Sequence, residues 1–141
     1  MSTIRIFVSI VLLSLMLACS DSVENYYDDY MSMKKSDSYR KGWIPENIPK
    51  SAKNIYERHD LDVNKVWIRF QCDSADITHL VSQLNAADTH LNVVSILKKN
   101  FNLPRKSSYF IFTEKEFFAI NYERKLVYYH RSNYGLDETR Q

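Results

Sequence analysis

Near its C-terminus the chain carries successive runs of β-forming residues that leave little choice of structure: Ser108-Tyr109-Phe110-Ile111-Phe112-Thr113, Phe117-Phe118-Ala119-Ile120-Asn121-Tyr122 and Lys125-Leu126-Val127-Tyr128-Tyr129-His130. β-branched and aromatic side chains suit a pleated, half-buried surface. The charged breaks between the runs, Glu114-Lys115-Glu116 and Glu123-Arg124, are too short for anything but turns. The pattern predicts an antiparallel meander. Its strands are apolar or aromatic on both faces, so a cover is required on each side or one face is left for a partner. The strap and second helix described below are the expected cover.

Upstream, Asn54 to His59 and Lys65 to Cys72 read as two further strands, with Asp60-Leu61-Asp62-Val63-Asn64 as the turn of a hairpin. Asp73-Ser74-Ala75-Asp76 then supplies a helix start, an acceptor followed by a carboxylate at the third position beyond it. Ile77, Leu80, Val81 and Leu84 follow at amphipathic spacing. A second helix is predicted from about His90 to Asn100, burying Val93, Val94, Leu97 and Phe101, with Pro104 ending it. The expected fold is α+β: an antiparallel sheet of about five strands with one or two helices packed on one face.

The N-terminus constrains location. Arg5 precedes an apolar run from Ile6 to Leu17 that is interrupted by Ser9 and Ser14, shorter than the roughly 20 residues a membrane span needs and proportioned like a secretory signal. Ala18 places a small side chain directly before Cys19. The segment Leu15-Met16-Leu17-Ala18-Cys19 resembles a bacterial lipobox, although typical lipoboxes have Leu where Met16 stands and a small residue where Leu17 stands. That resemblance implies a signal peptide over residues 1–18 and a lipid anchor on Cys19, held stably because each buried methylene contributes about 0.8 kcal/mol and more than one acyl chain is attached. Ser20 rather than Asp follows the cysteine, so by likeness to enteric lipoproteins the periplasmic side of the outer membrane is the expected site.

Removing residues 1–18 takes away one of the 19 basic residues and none of the 17 acidic ones. The mature chain is near neutral, which argues against a nucleic-acid partner, since phosphate binding needs a clustered basic surface. With Cys19 acylated, Cys72 is the remaining thiol, so no intramolecular disulfide forms. Its setting in Val66-Trp67-Ile68-Arg69-Phe70-Gln71-Cys72 predicts burial. Residues 19–41, rich in Ser, Asp and Tyr before a basic patch at Lys34, Lys35, Arg40 and Lys41, read as the anchor and a polar tether. The domain is expected over residues 42–131, with 132–141 as a flexible tail.

The domain opens with Gly42-Trp43-Ile44-Pro45-Glu46-Asn47-Ile48-Pro49-Lys50-Ser51-Ala52-Lys53-Asn54-Ile55. Pro45 and Pro49 each remove a donor and push the preceding residue into extended geometry, so a strap is predicted, docked by Trp43, Ile44 and Ile48. The motif Trp-Ile-Pro, Ile-Pro-x-Ser-Ala-x-x-Ile over residues 43–55, followed by Asp62, Trp67 and Phe70, resembles small bacterial lipoproteins with a YbbD-head-like segment. The likeness implies a fold unit and carries no assigned activity.

No catalytic constellation stands out. His59, His79, His90 and His130 lack metal-ligand spacing. Asp60-x-Asp62-x-Asn64 copies the opening of a calcium loop, but Lys65 stands where the turn needs Gly and Gln71 where the bidentate Glu belongs. With Gly42 and Gly135 the only glycines, no Gly-rich phosphate cradle or nucleophile elbow is available. Sequence therefore points to no enzyme, cofactor or metal. It points to a membrane-anchored module that binds an envelope protein, with Trp43, Asp60, Asp62, Glu114 and Glu116 as candidate contact residues. The alternative is an inhibitor or immunity-type protein that inserts the Asp60–Asn64 or Glu114–Glu116 loop into an enzyme or toxin.

Overall fold

The computed structural model describes residues 22–87 and 91–135. Cys19, the apolar N-terminal run and residues 136–141 lie outside the described residues. In chain order the elements are β1 (Ser22–Asp29), α1 (Tyr30–Lys34), α2 (Asp37–Arg40), β2 (Lys53–Asp60), β3 (Lys65–Gln71), α3 (Ser74–Val81), β4 (Asn85–Ala86), α4 (Leu91–Asn100), β5 (Ser108–Thr113), β6 (Glu116–Asn121) and β7 (Leu126–Arg131). The strands form one seven-stranded sheet in the order β1-β2-β3-β7-β6-β5-β4. Every pairing is antiparallel. The fold is α+β, with more strands than the five or so expected from sequence. Two meanders, β1-β2-β3 and β5-β6-β7, meet where Ile68 pairs with Tyr129.

The apolar character of both strand faces is resolved by covering each with a different helix. On one face Val66, Ile68, Phe70, Phe118, Ile120, Val127 and Tyr129 pack beneath Ile77 and Leu80 of α3, together with Met33 of α1 and Ile44, Ile48 and Ala52 of the strap. On the other, Phe117, Ala119 and Tyr128 pack beneath Val93, Ile96 and Leu97 of α4. The expectation of helices on one face is thus corrected. Side chains alternate across a strand, so β6 and β7, apolar at consecutive positions, need a cover on both sides, and the chain supplies it by passing from one face to the other around the short edge strand β4.

Residues 22–41 are also not the tether that composition suggested. Ser22 to Tyr27 and Asp29 pair along β2, from Ser22 opposite Asp60 to Asp29 opposite Lys53. Val23, Asn25 and Tyr27 turn inward while Glu24, Tyr26 and Asp28 turn out. The acids that suggested a solvated linker decorate an edge strand, where charge discourages unwanted strand addition. Asp29 then caps α1 in a reciprocal box with Ser32. Next, α2 ends in a Schellman motif: Gly42, at φ +71, donates to Tyr39 O and Trp43 donates to Ser38 O. That reversal launches the strap.

Ser51 latches the strap to α3. Its hydroxyl donates to Asp76 Oδ2 (2.6 Å) and accepts from the Asp73 N–H (3.0 Å). Asp73 does stand at the N-cap, but it makes no side-chain cap bond. The Asp76 carboxylate predicted to cap the helix from within, and the Asp73 N–H, are instead bonded to a residue from another segment.

Candidate interaction surface

The polar residues of β1 and β2 divide between the two faces. On the strap side Glu57 is fully buried, and its Oε2 accepts from Asn25 Nδ2 (3.1 Å) and the Tyr27 hydroxyl (2.9 Å). Asn25 Nδ2 also reaches Ser38 Oγ (3.2 Å). His59, likewise buried, has Nε2 3.0 Å from Asn64 Oδ1 and packs T-shaped with the Trp43 ring at 4.4 Å between centroids. These contacts bind β1, α2 and the strap to β2. A buried carboxyl gains its hydrogen bonds only from such neighbours.

On the opposite side α4 lies over β5, β6 and β7 and reaches Trp67 of β3, and among the described residues the outward face of β1 and β2 and Arg69 of β3 are left open. Cross-strand register places Tyr26 opposite Tyr56, Tyr56 opposite Arg69 and Arg69 opposite Tyr128. The adjacent row runs Glu24, Arg58, Trp67 and His130. Tyr26 is 73% exposed and its ring sits 4.9 Å from that of Tyr56. Two guanidinium groups lie over aromatic rings, Arg58 at 4.0 Å from Trp67 and Arg69 at 5.8 Å from Tyr56. Such cation–π contacts hold extended arginines flat against the sheet. Partial burial raises the Tyr56 hydroxyl above its ordinary range, and the Glu24 charge adds to the rise while Arg58 opposes it. The platform ends at α4, where Trp67 Nε1 donates to Asn100 Oδ1 (2.8 Å) and Asn100 Nδ2 donates to Ile96 O (2.8 Å).

The residues singled out from sequence gather at one end of the sheet, because Asp60 pairs with Lys65, Val66 with Arg131 and Arg131 with Glu116. Several of them serve the fold. Asp60 Oδ1 accepts from the N–H groups of Asp62 and Val63 and so shapes its own turn. Glu116 accepts from the Tyr129 hydroxyl (2.7 Å) and from Thr113 Oγ1 (2.9 Å). Trp43 is half-buried against His59, and its carbonyl accepts from Arg131 Nη2 (3.2 Å). Asp62 and Glu114 stay exposed. The exposed Tyr26 and Arg69 and the half-buried Tyr56 and Arg58 were missed. For Tyr56 and Arg58 the signal is the alternation in Lys53–Asp60, where Ile55, Glu57 and His59 turn inward and Tyr56 and Arg58 outward.

Two hollows flank the sheet ends. One, of about 340 Å³, lies between the strap and the β5–β6 end and includes Ile44, Asn47, Phe112, Glu116 and Arg131. Both amide atoms of Asn47 are shielded from solvent and have no hydrogen-bond partner. The other, of about 200 Å³, is lined by Lys53, Gln71, Cys72, Asp73, Arg124 and Lys125. Cys72 is buried, as expected; burial, with Asp76 and Asp73 adding to it, pushes its thiol up to about 12. A thiol so held is a poor nucleophile near neutral pH. Among the described residues no group of three or more His, Cys, Asp or Glu side chains is placed to hold a metal ion. No helix among them is long and apolar enough to cross a membrane.

Residues 21–71 match the YbbD head domain. The segment spans β1 through β3 with α1, α2 and the strap, so it takes in both the 43–55 motif and the strand that composition had assigned to a tether. No curated protein and no solved structure matches the chain.

Proposed function

We propose that this chain is a membrane-anchored envelope lipoprotein, attached through acylated Cys19, whose domain binds another envelope protein and performs no chemistry of its own. The observation that carries this reading is the open platform of Tyr26, Tyr56, Arg58 and Arg69 on the sheet face that α4 leaves uncovered. Tyr and Arg are enriched at the energetic centres of protein interfaces, because each offers large contact area and directed polar groups. The arginines are already held against rings, so little side-chain freedom remains to be lost on binding. The fitting partner places an acidic group on Arg69 and an apolar patch on Tyr26.

The test is photo-crosslinking in cells from a probe at position 26, with the protein at its native level, followed by mass spectrometry. One stoichiometric envelope protein is expected. A partner that instead crosslinks from position 62 or 114 would replace the platform with the inhibitor reading, in which a loop enters an enzyme cleft. Substrate turnover by the purified protein would overturn both.

A further inference from the structure

We infer that the sheet end carrying the Asp60–Asn64 turn rests on the lipid surface, which leaves the Tyr/Arg platform facing sideways into the envelope space. The inference rests on the lipid anchor at Cys19 proposed above. It follows from the short chain distance between Cys19 and β1, in which Ser22 is paired with Asp60. From Cys19 to Ser22 the chain advances three residues, and at about 3.3–3.6 Å each its reach is on the order of 10 Å. No spacer separates the acyl chains from the sheet. The strand end at Ser22 and whatever shares that end are therefore held at the headgroups.

What shares that end suits an interface. Register aligns Ser22, Asp60, Lys65, Arg131, Glu116 and Thr113 along it. Of the six large apolar side chains left exposed among the described residues, Leu61, Phe112 and Tyr134 lie here. Lys65 Nζ sits 5.4 Å from the Tyr134 ring. Aromatic rings and long lysines are the side chains that settle at headgroup depth, with apolar stems inward and polar tips in water. Lys65, Lys115 and Arg131 at this end are matched by Asp60, Asp62, Glu114 and Glu116, so there is no basic excess and contact does not depend on anionic lipid. Gly135 closes this end: at φ +53, a Cβ there would run into Glu114 O, so the Gly135 backbone seats tightly on the β5–β6 turn.

The test uses the acylated full-length lipoprotein in phosphatidylcholine vesicles, with a nitroxide at Leu61→Cys or, at the opposite end, Tyr122→Cys. Both sites are exposed, and unchanged melting confirms that each variant folds. At position 61 loss of collision with an aqueous nickel chelate and gain of collision with oxygen are expected; at position 122 the reverse. A Gly/Ser insertion of about 12 residues between Asp21 and Ser22 should return position 61 to water without releasing the protein from vesicles. Protein that floats with vesicles but is aqueous at both positions would overturn the orientation alone. An unacylated N-terminal peptide and no flotation would overturn the anchor, and the orientation with it. Shielding unchanged by the insertion would overturn the short linkage as its cause.

Discussion

On the strap side of the sheet, Ile68, Phe70, Val127 and Tyr129 are sealed beneath α3, α1 and the strap, and the polar side chains there, Glu57 and His59, are buried and bonded to neighbours. On the other side the same strands are covered only as far as Trp67 and Tyr128, and beyond them lie Tyr56, Arg58, Arg69 and the exposed Tyr26. Both faces use aromatic side chains, but to different ends. Where a ring is buried on all sides it supplies cohesion; where it is tilted against a neighbour and topped by a guanidinium it forms the proposed contact surface. Trp67 is the boundary, buried by α4 and touched from the open side by Arg58.

The sharpest way to break this contrast is at the boundary itself. Trp67→Ala should lower stability by about 3–5 kcal/mol, measured by denaturant unfolding, because it removes a buried ring and the anchor of Asn100. Unchanged stability with lost partner binding would move Trp67 onto the working surface. Gly135→Ala should cost more than about 1 kcal/mol, since the backbone is left-handed there and the added methyl meets a carbonyl. Tyr26→Ala, on the open face, should stay within about 0.5 kcal/mol of the parent in the same unfolding assay while losing the crosslinked partner. A large loss of stability there would mean that Tyr26 holds β1 in place rather than serving contact.

Two further expectations concern the sealed side. Burial raises the Cys72 thiol to about 12, and burial together with Glu116 raises the Tyr129 hydroxyl well above the usual phenol range. Both groups are neutral when protonated, so their contribution is present below their unfolded values and is lost as pH rises. Melting temperature should therefore fall as pH climbs from about 9 through 12. A flat profile across that window would show that neither group is sealed. At pH 8 Cys72 should react with iodoacetamide only on unfolding, and labelling at the rate of a free thiol would place it in open solvent.

Much of the architecture was legible because its signals are local. The runs 108–113, 117–122 and 125–130, dense in β-branched and aromatic residues, read as strands and lie within one residue of β5, β6 and β7, and Ile77 and Leu80 recur with the helical period; both signals arise within a handful of residues. The strap was legible because proline acts on its own backbone. By contrast, β1 was hidden: the alternation of Val23, Asn25 and Tyr27 with Glu24, Tyr26 and Asp28 is no stronger than its acidic, Ser-rich composition, and only pairing with β2 makes it a strand. Asp60 and Glu116, candidate contacts from their loops, and Trp43 direct their hydrogen bonds and ring contacts into the fold.

The sequence by itself determined the α+β class, the meander, the strap, the helix of Ile77 and Leu80 and the burial of Cys72, because propensity, periodicity and proline geometry operate over neighbouring residues. Only the tertiary structure decided that helices cover both faces, that Ser51 latches α3, that residues 22–29 close the sheet edge and that Tyr26, Tyr56, Arg58 and Arg69 form one surface. Each of those depends on which strand lies beside which, and register is set by the burial of an entire face rather than by any single segment.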